Sequence, residues 1–454
     1  MIRIIDTQIE DPRPFLRQRG VRYEESVTQV VAQIIADVRE RGDQALLDSA
    51  KRFDSPNIAS LFATQQEIDD AMPPASHAFA IDHAIDRVKA FHEAQLGALT
   101  KGWIEEEYQS ADERKKDGQP RHHVGNHRWT WNITSVGTLG QRMAPLQRIG
   151  AYVPGGNANY PSSVVMNVVP AQVAGVNHVA VTTPARRDGT LPPSILYAAR
   201  YCGVSQVAKV GGAAAIAALA LGTESISRVD KVVGPGNRYV NEAKRQLWGT
   251  VGLDGFAGPS EVCVLVDDST NARCAAADFL TQIEHAEDNA GFLVSLSEAK
   301  AREVLAEVEH QVTGAAREAT MRSSMRNEGA AIVVRSLDEA CEIVDLIAPE
   351  HLTIALSDPD SAARKIRNAG CILLGEWTPE SAGDYCAGPS HTLPTATASR
   401  FGSPVNVLDF LKVQSVMNLT RDELAELSPT IEAFGEMEGF PTHAKGATVR
   451  FEGD

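Results

Sequence analysis

Val27, Val30, Val31, Ile34, Ile35 and Val38 recur at the spacing of one helical face, which predicts an amphipathic helix over Ser26–Glu40. Ser26 and Gln29 are placed to form a capping box at its start, and Gly42 stands just past its end. A second helix is expected over Ser76–Leu96. From about Thr100 to Gln141 the apolar spacing is lost and EEEYQSADERKKDGQPRHH lies at the centre, so this stretch reads as an exposed excursion or hairpin. Its His122, His123 and His127 read as solvated surface residues in preference to metal ligands.

After Arg148 the pattern becomes regular. β-rich runs fall at His178–Thr183, Val207–Val210, Lys231–Val233, Glu261–Val266, Gly291–Leu296, Ala331–Arg335, Leu352–Leu356 and Cys371–Leu374. Helical runs separate most of them: Ser162–Ala174, Ser194–Tyr201, Ala213–Ala220, Arg238–Trp248, Arg273–Glu287, Glu298–Glu309, Leu337–Leu346 and Ser361–Asn368. Such alternation predicts parallel α/β sheets. A (β/α)8 barrel would use the same alternation, but the N-terminal helices and uneven spacing favour two doubly wound, Rossmann-like sheets. The expected division is an N-terminal extension (1–25), a first α/β domain (26–140 with 260–408), a second Rossmann-like domain (141–259) and a C-terminal extension (409–454). That last segment reads as helical pieces followed by a loop, Glu438–His443, able to pack on its own body or on a partner subunit.

Composition narrows the function. A chain of 454 residues with 43% hydrophobic content can build large cores, and its net charge of −16 argues against nucleic acid or anionic membranes as general partners. No unbroken apolar run is long enough for a membrane span, and MIRIIDTQIEDPRPF lacks the apolar centre of a signal peptide. Cys202, Cys263, Cys274, Cys341, Cys371 and Cys386 show no CxxC pairing and read as reduced thiols. A cytoplasmic protein is expected.

Three Gly/Pro turns stand out. Ile149–Val153 runs into Pro154-Gly155-Gly156, after which Pro161-Ser162-Ser163 opens an apolar helix; Gly234-Pro235-Gly236-Asn237 repeats the strand–turn–helix order. Both arrangements offer backbone N–H groups to an anionic ligand, although neither is a GxGxxG or GxxxxGK[ST] motif. The third turn, Gly258-Pro259-Ser260-Glu261, leads into a strand. Gln282 and His285, at i and i+3 of a predicted helix, supply half of a zinc donor set, whereas Glu284 points elsewhere. Glu350-His351 places two proton-transfer groups where a helix gives way to a strand. Asp384 and His391 sit in a turn-rich segment, GDYCAGPSH, and His443 lies in the tail. These residues leave two classes open: a dehydrogenase that binds a dinucleotide, or a zinc hydrolase using Glu350 or His351 as base.

Taken in order, the segments YVPGG…YPSSVVMN, VDKVVGPGNRYVNEAKRQ, AGPSEV, QIEH, APEHL, ESAGDYCAGPSHTLPT and MEGFPTHAKGATVRF resemble the histidinol dehydrogenase family over nearly the whole chain. The resemblance implies oxidation of L-histidinol through histidinal to L-histidine, with two NAD and a zinc ion, in a homodimer with shared sites. It implies Gln282, His285, Asp384 and His443 as zinc ligands, with His443 reaching into the other subunit's site. His351 would take the hydroxyl proton and Glu350 would activate the water of the second step. Ser260, His391 and Glu438 match substrate-contacting positions, alongside Gln282, His285, His351, Asp384 and His443. Tyr152, Asn237 and Ala214 match cofactor-contacting positions.

The departures are specific. Ala214 stands where the family has a Gln that contacts NAD, Ala286 where it has Asp, and Ser390 where it often has Asn. The polar insert near Glu105–Arg128 is longer than typical. Sulfopropanediol 3-dehydrogenases, relatives that oxidise other primary alcohols to acids, give the alternative substrate class. A silent binding paralogue is disfavoured by the retained Glu350-His351 pair.

Overall fold

The computed structural model describes residues 2–20, 24–101, 104–107, 127–132, 138–155, 158–204, 206–256, 258–326 and 329–452, with backbone alone for 104–107, 127–132 and 138–139. His122, His123 and most of the polar insert lie outside the described residues, and His127 is described only as strand backbone. The chain forms two compact units, Met1–Leu96 with Leu146–Phe410 and Gly97–Pro145 with Leu411–Asp454.

In chain order the strands are β1 (Arg3–Asp6), β2 (Ile104–Glu107), β3 (His127–Asn132), β4 (Thr138–Pro145), β5 (Arg148–Tyr152), β6 (His178–Thr182), β7 (Gln206–Ala208) and β8 (Lys231–Val233). They continue as β9 (Gly252–Leu253), β10 (Glu261–Val266), β11 (Ala290–Ser295), β12 (Ala330–Val333), β13 (His351–Ala355), β14 (Cys371–Leu374) and β15 (Leu411–Asn418). The first unit holds two parallel sheets, ordered β7-β6-β5-β8-β9 and β1-β12-β11-β10-β13-β14. Each winds outward from its first main strand and then reverses, so the switch points lie between β5 and β8 and between β10 and β13. Two doubly wound sheets, not a barrel, are therefore present.

The central strands are buried on both faces, which is why β10 reads EVCVLV without polar alternation. Alternate side chains still separate by face. Val262, Val264 and Leu293 pack with Phe279, Ile283, Val304 and Val308 of helices Ala272–Ile283 and Glu298–Val312. Cys263, Leu265 and Phe292 pack on the other side with Ile343, Val344 and Ile347 of helix Leu337–Ile347.

The N-terminal helix spans Glu25–Arg41 and packs on helices Gly212–Leu221 and Arg238–Leu247. Its predicted capping box does not form. The helix starts one residue early, Glu24 is the cap without a side-chain bond, and Gln29 Nε2 instead donates to Glu25 Oε1 at 3.1 Å. Val30 is exposed because the buried stripe is narrower than the apolar one, made by Val27, Val31, Ile35 and Val38. The predicted Ser76–Leu96 helix runs over Ala75–Leu99. Ser361–Asn368 is not a helix; the helical turn lies earlier, at Pro359–Ala363, where Asp358 caps Ser361 N–H.

The second unit carries the antiparallel sheet β15-β4-β3-β2, so the stretch expected as an exposed excursion or hairpin contributes antiparallel strands, as a hairpin would, to a sheet completed by β15. Helices Arg421–Met437 and Pro441–Thr448 follow. The expected loop Glu438–His443 is instead a tight helix–helix junction. Gly439 takes φ +74° to end one helix and Pro441 occupies the first turn of the next, so His443 is helical.

Phe279 carries the helix that presents Gln282, and a Cβ on Gly291 would meet its ring at 2.4 Å, so the ring lies directly on β11. Phe279→Ala is expected to cost about 3–5 kcal/mol of stability, read as a lowered urea midpoint of the full chain.

Candidate active site

The catalytic candidates converge at the N-terminal ends of β10 and β13. The opposite end, the usual ligand crevice of such a sheet, is closed by its own polar groups. Asp267 accepts from Ser269 N–H at 2.9 Å and from Ser357 N–H and Oγ at 2.9 and 2.8 Å.

Helix Leu337–Ile347 ends at Ala348, which takes the left-handed conformation with φ +47° and is followed by Pro349. That turn sends the chain directly into Glu350 and His351. The Pro349 and Glu350 carbonyls accept from Gly370 and Cys371 N–H at 2.9 and 2.8 Å, which fixes the start of β13. Glu350 is buried, and its Oε2 accepts from Glu261 N–H at 3.0 Å. Burial pushes its carboxyl up to about 8, against the opposing pull of His351 and that N–H.

His351 is 2% exposed and lies between two carboxylates. Nε2 is 3.2 Å from Asp384 Oδ1, and Nδ1 is 3.9 Å from Glu380 Oε1. Burial alone would lower the imidazole pKa, but Glu380, Asp384 and Glu350 outweigh it and raise it to about 10. Burial also opposes ionisation of Asp384, yet the contact with His351 holds its carboxyl below the usual range. Gln282 Nε2 donates to Asp384 Oδ2 at 3.1 Å. His391 Nδ1 lies 2.8 Å from the Asp384 carbonyl, which can only accept, so this nitrogen carries a proton. Burial lowers the His391 pKa, leaving a neutral ring with a free Nε2 lone pair.

The helix expected to run through Glu287 stops at Ile283, so His285 lies in the turn that follows, yet Gln282 and His285 both border Asp384. Asn289 Nδ2 donates to the Gln282 carbonyl at 2.6 Å and competes for the bond that would continue the helix. His285 enters a turn on Gln282 O at 3.1 Å, and Arg317 holds its carbonyl at 3.2 Å. Its side chain remains open to solvent beside Asp384. Asn289 Oδ1 also accepts from Ser260 N–H at 3.0 Å, which joins Ser260 to the cluster.

Sequence reasoning missed Glu380, Asn289 and Arg19. Buried Arg19 donates to the Glu261 carboxylate and the Ile347 carbonyl, bracketing Glu350 from behind. Glu380 offered a signal: it opens the ESAGDY segment one helical turn before Asp384, so both acids share a helix face. Ligand atoms of His351, Glu380 and Asp384 lie within 4.8 Å of one another, a separation at which they could hold a metal ion. Glu438 and His443 are exposed in the second unit, where the His443 ring lies 5.5 Å from that of Phe440.

The switch point of the five-stranded sheet lies between β5 and β8. Tyr152 ends β5 and Gly234 follows β8, so two turns singled out from sequence flank that point. Gly234 has φ +112°, and a Cβ there would lie 2.1 Å from the Tyr152 carbonyl oxygen. Its peptide is held on both sides: Gly234 N–H donates to Asp254 Oδ2 at 2.7 Å, and Lys244 Nζ donates to Gly234 O at 2.6 Å and Asp254 Oδ1 at 2.7 Å. Asn237 Oδ1 caps the next helix through Tyr239 and Val240 N–H. Ala214 is buried in helix Gly212–Leu221 and presents only a methyl group. The segment carrying Asp384 and His391 docks on the helix after the first turn, Pro161–Val173. Ser390 Oγ donates to Met166 O at 3.1 Å and Thr392 Oγ1 lies 3.3 Å from Asn167 Oδ1.

Comparison with known proteins shows the family. The family model described as histidinol dehydrogenase matches residues 17–451. The chain is 42% identical to histidinol dehydrogenase from Geobacter metallireducens over 456 residues, covering 99% of this chain and 98% of the relative. It is 43% identical to that of Halalkalibacterium halodurans over 424 residues, 93% of each chain. The crystal structure of histidinol dehydrogenase from Elizabethkingia anophelis superimposes with a TM-score of 0.86 at 30% identity, covering 99% of this chain and 98% of that one.

Asp54 closes the N-terminus of helix Gly212–Leu221 by accepting from Gly211 N–H at 2.9 Å, and burial pushes its carboxyl up to about 6. A carboxyl raised on folding favours the native state while protonated and loses that advantage as pH rises through about 6. Asp54→Asn is therefore expected to raise the unfolding free energy by about 2 kcal/mol at pH 7.5, with the gain vanishing below pH ~4. Urea titrations at the two pH values measure it.

Proposed function

Because the chain belongs to the histidinol dehydrogenase family, we propose that it oxidises L-histidinol through histidinal to L-histidine, using NAD and one zinc ion per subunit. The observation that carries the reading is the meeting of Glu350, His351 and Gln282 with Asp384, whose segment docks through Ser390 on the helix beside the β5/β8 switch point. Both oxidations then occur beside one cofactor site.

The donors fit zinc. Gln282 and Asp384 supply oxygens, His285 supplies an accessible imidazole, and His443 is exposed and free to complete the set in a neighbouring subunit. Glu380 and His351 adjoin this set. Bound by these residues, zinc would supply a Lewis-acid anchor for the substrate, and NAD would supply the hydride acceptor for each oxidation. In the metal-free site Glu380 and Asp384 favour the protonated His351 ring; with Asp384 engaged by the metal that pull would weaken, and the neutral ring would take the hydroxyl proton in the first step. Glu350 takes a proton from the water that adds to the aldehyde in the second. A carboxyl held near 8 suits a group that must both accept and return a proton at neutral pH. Ser260 and His391 line the substrate, with His391 Nε2 available to accept from its amino group. Tyr152 and Asn237 contact NAD at the two turns. At Ala214 the missing amide leaves that contact to backbone groups.

The enzyme works as a homodimer, with Glu438 and His443 serving the neighbouring subunit's site. Exposed Phe434, Met437 and Phe440 beside them supply apolar surface for such an exchange. Among the described residues no helix is long and apolar enough to cross a membrane, in keeping with a cytoplasmic biosynthetic enzyme.

The zinc-loaded protein is expected to form about two NADH per L-histidinol, and a chelator should abolish this. NADH formation from another primary alcohol but not from histidinol would move the substrate to the sulfopropanediol class; NAD-independent ester hydrolysis would favour a zinc hydrolase. Truncation before Glu438 should remove zinc and activity while the parallel sheets stay folded by circular dichroism. Retention of stoichiometric zinc would sink the shared site.

A further inference from the structure

The least satisfied polar group at the site is Glu380. Its side chain is 0% exposed, and neither carboxylate oxygen has a hydrogen-bond partner. Among the described residues Thr281 and Gln282 lie near enough to favour its ionised form, but their best-directed bonds go elsewhere, Thr281 Oγ1 to the Asp278 carbonyl at 2.6 Å and Gln282 Nε2 to Asp384 at 3.1 Å. The buried atom facing it is His351 Nδ1, 3.9 Å away and likewise without a partner. A buried carboxylate and a buried ring nitrogen, both unmet, are costly apart and favourable together. An adjustment of about 1 Å brings them to hydrogen-bond distance.

The other ring nitrogen, Nε2, faces Asp384, the side on which Gln282 also converges. The two nitrogens of His351 therefore have different surroundings: Nε2 donates to Asp384 Oδ1 in the metal-free arrangement and becomes an acceptor only when that carboxylate turns to the metal, whereas Nδ1 faces Glu380. We propose that Glu380 is a positioning residue for His351: it accepts from Nδ1–H, fixes the ring orientation and tautomer, and leaves Nε2 as the nitrogen that takes the substrate's hydroxyl proton. The logic is that of the carboxylate behind the histidine in a Ser-His-Asp triad, where the acid orients the ring and favours the imidazolium without taking the proton itself.

This rests on His351 acting as the base, so the test includes that residue. Zinc-loaded Glu380→Gln, Glu380→Asp, His351→Asn and the double variant Glu380→Gln/His351→Asn are compared with the parent for kcat, KM for L-histidinol, zinc per subunit and melting midpoint. Glu380→Gln is expected to lose about 10²–10³-fold in kcat, with KM within about threefold and with zinc content and melting midpoint unchanged. Glu380→Asp, which keeps the charge and is the safer variant for folding, should lose only about tenfold. In the His351→Asn background the Gln change should cost less than about twofold further, because its effect passes through the missing ring. An unchanged kcat in Glu380→Gln, a loss of zinc, or an undiminished loss in the double variant each overturns the assignment. Full activity in His351→Asn would overturn the base itself, a result distinct from an inactive His351→Asn beside a normal Glu380→Gln.

Discussion

The site depends on keeping several ionisable groups dry at the N-terminal edge of β10 and β13. Glu350, His351, Glu380 and Asp384 are all buried there, and isolated charges in such a place would cost several kcal/mol each. The structure offsets that cost by pairing. His351 stands between carboxylates, Glu350 takes the first N–H of β10, and Arg19 neutralises Glu261 behind it. The same confinement raises the Glu350 carboxyl and makes it a competent proton carrier near neutral pH.

Two sheets of the same winding are put to opposite uses. In the five-stranded sheet the crevice between β5 and β8 keeps its Gly turns, and a buried Lys244–Asp254 pair grips both sides of the Gly234 peptide. In the six-stranded sheet Asp267 is bonded across the equivalent point to Ser357, and the candidate catalytic residues lie at the other end of the strands. Helix Ala272–Ile283 runs back along the sheet and delivers Gln282 to that end. The Asp384–Thr392 segment, anchored on helix Pro161–Val173, links the two halves. Proposed hydride transfer and proton transfer can thus be served from different sheets.

Most of the candidate chemistry was legible as short motifs, because an acid beside a histidine or a Gly/Pro turn after a strand has local meaning. Glu350, His351, Asp384 and the two Gly/Pro turns of the five-stranded sheet were legible in that way. Arg19, Asn289 and Glu380 were not. Arg19 meets Glu261 across 242 positions, and nothing near it in sequence marks it as buried. Asn289 matters because it takes the Gln282 carbonyl, which also ends the helix that the spacing had extended through His285. Antiparallel pairing of β4 with β15 was likewise invisible, since every parallel strand but β1 lies between them in the sequence.

The sequence by itself determined the two doubly wound sheets, through continuous apolar strands alternating with amphipathic helices, and it determined which residue types are available for acid–base and metal chemistry. These are local properties, written in periodicity and in side-chain identity. Tertiary structure decided which end of each sheet is used, which histidine nitrogen faces which carboxylate, and which charges are dry enough to have shifted pKa values. Those outcomes follow from burial and from contacts between residues distant in the chain, whose electrostatic consequences exist only once the elements have packed and water has been excluded.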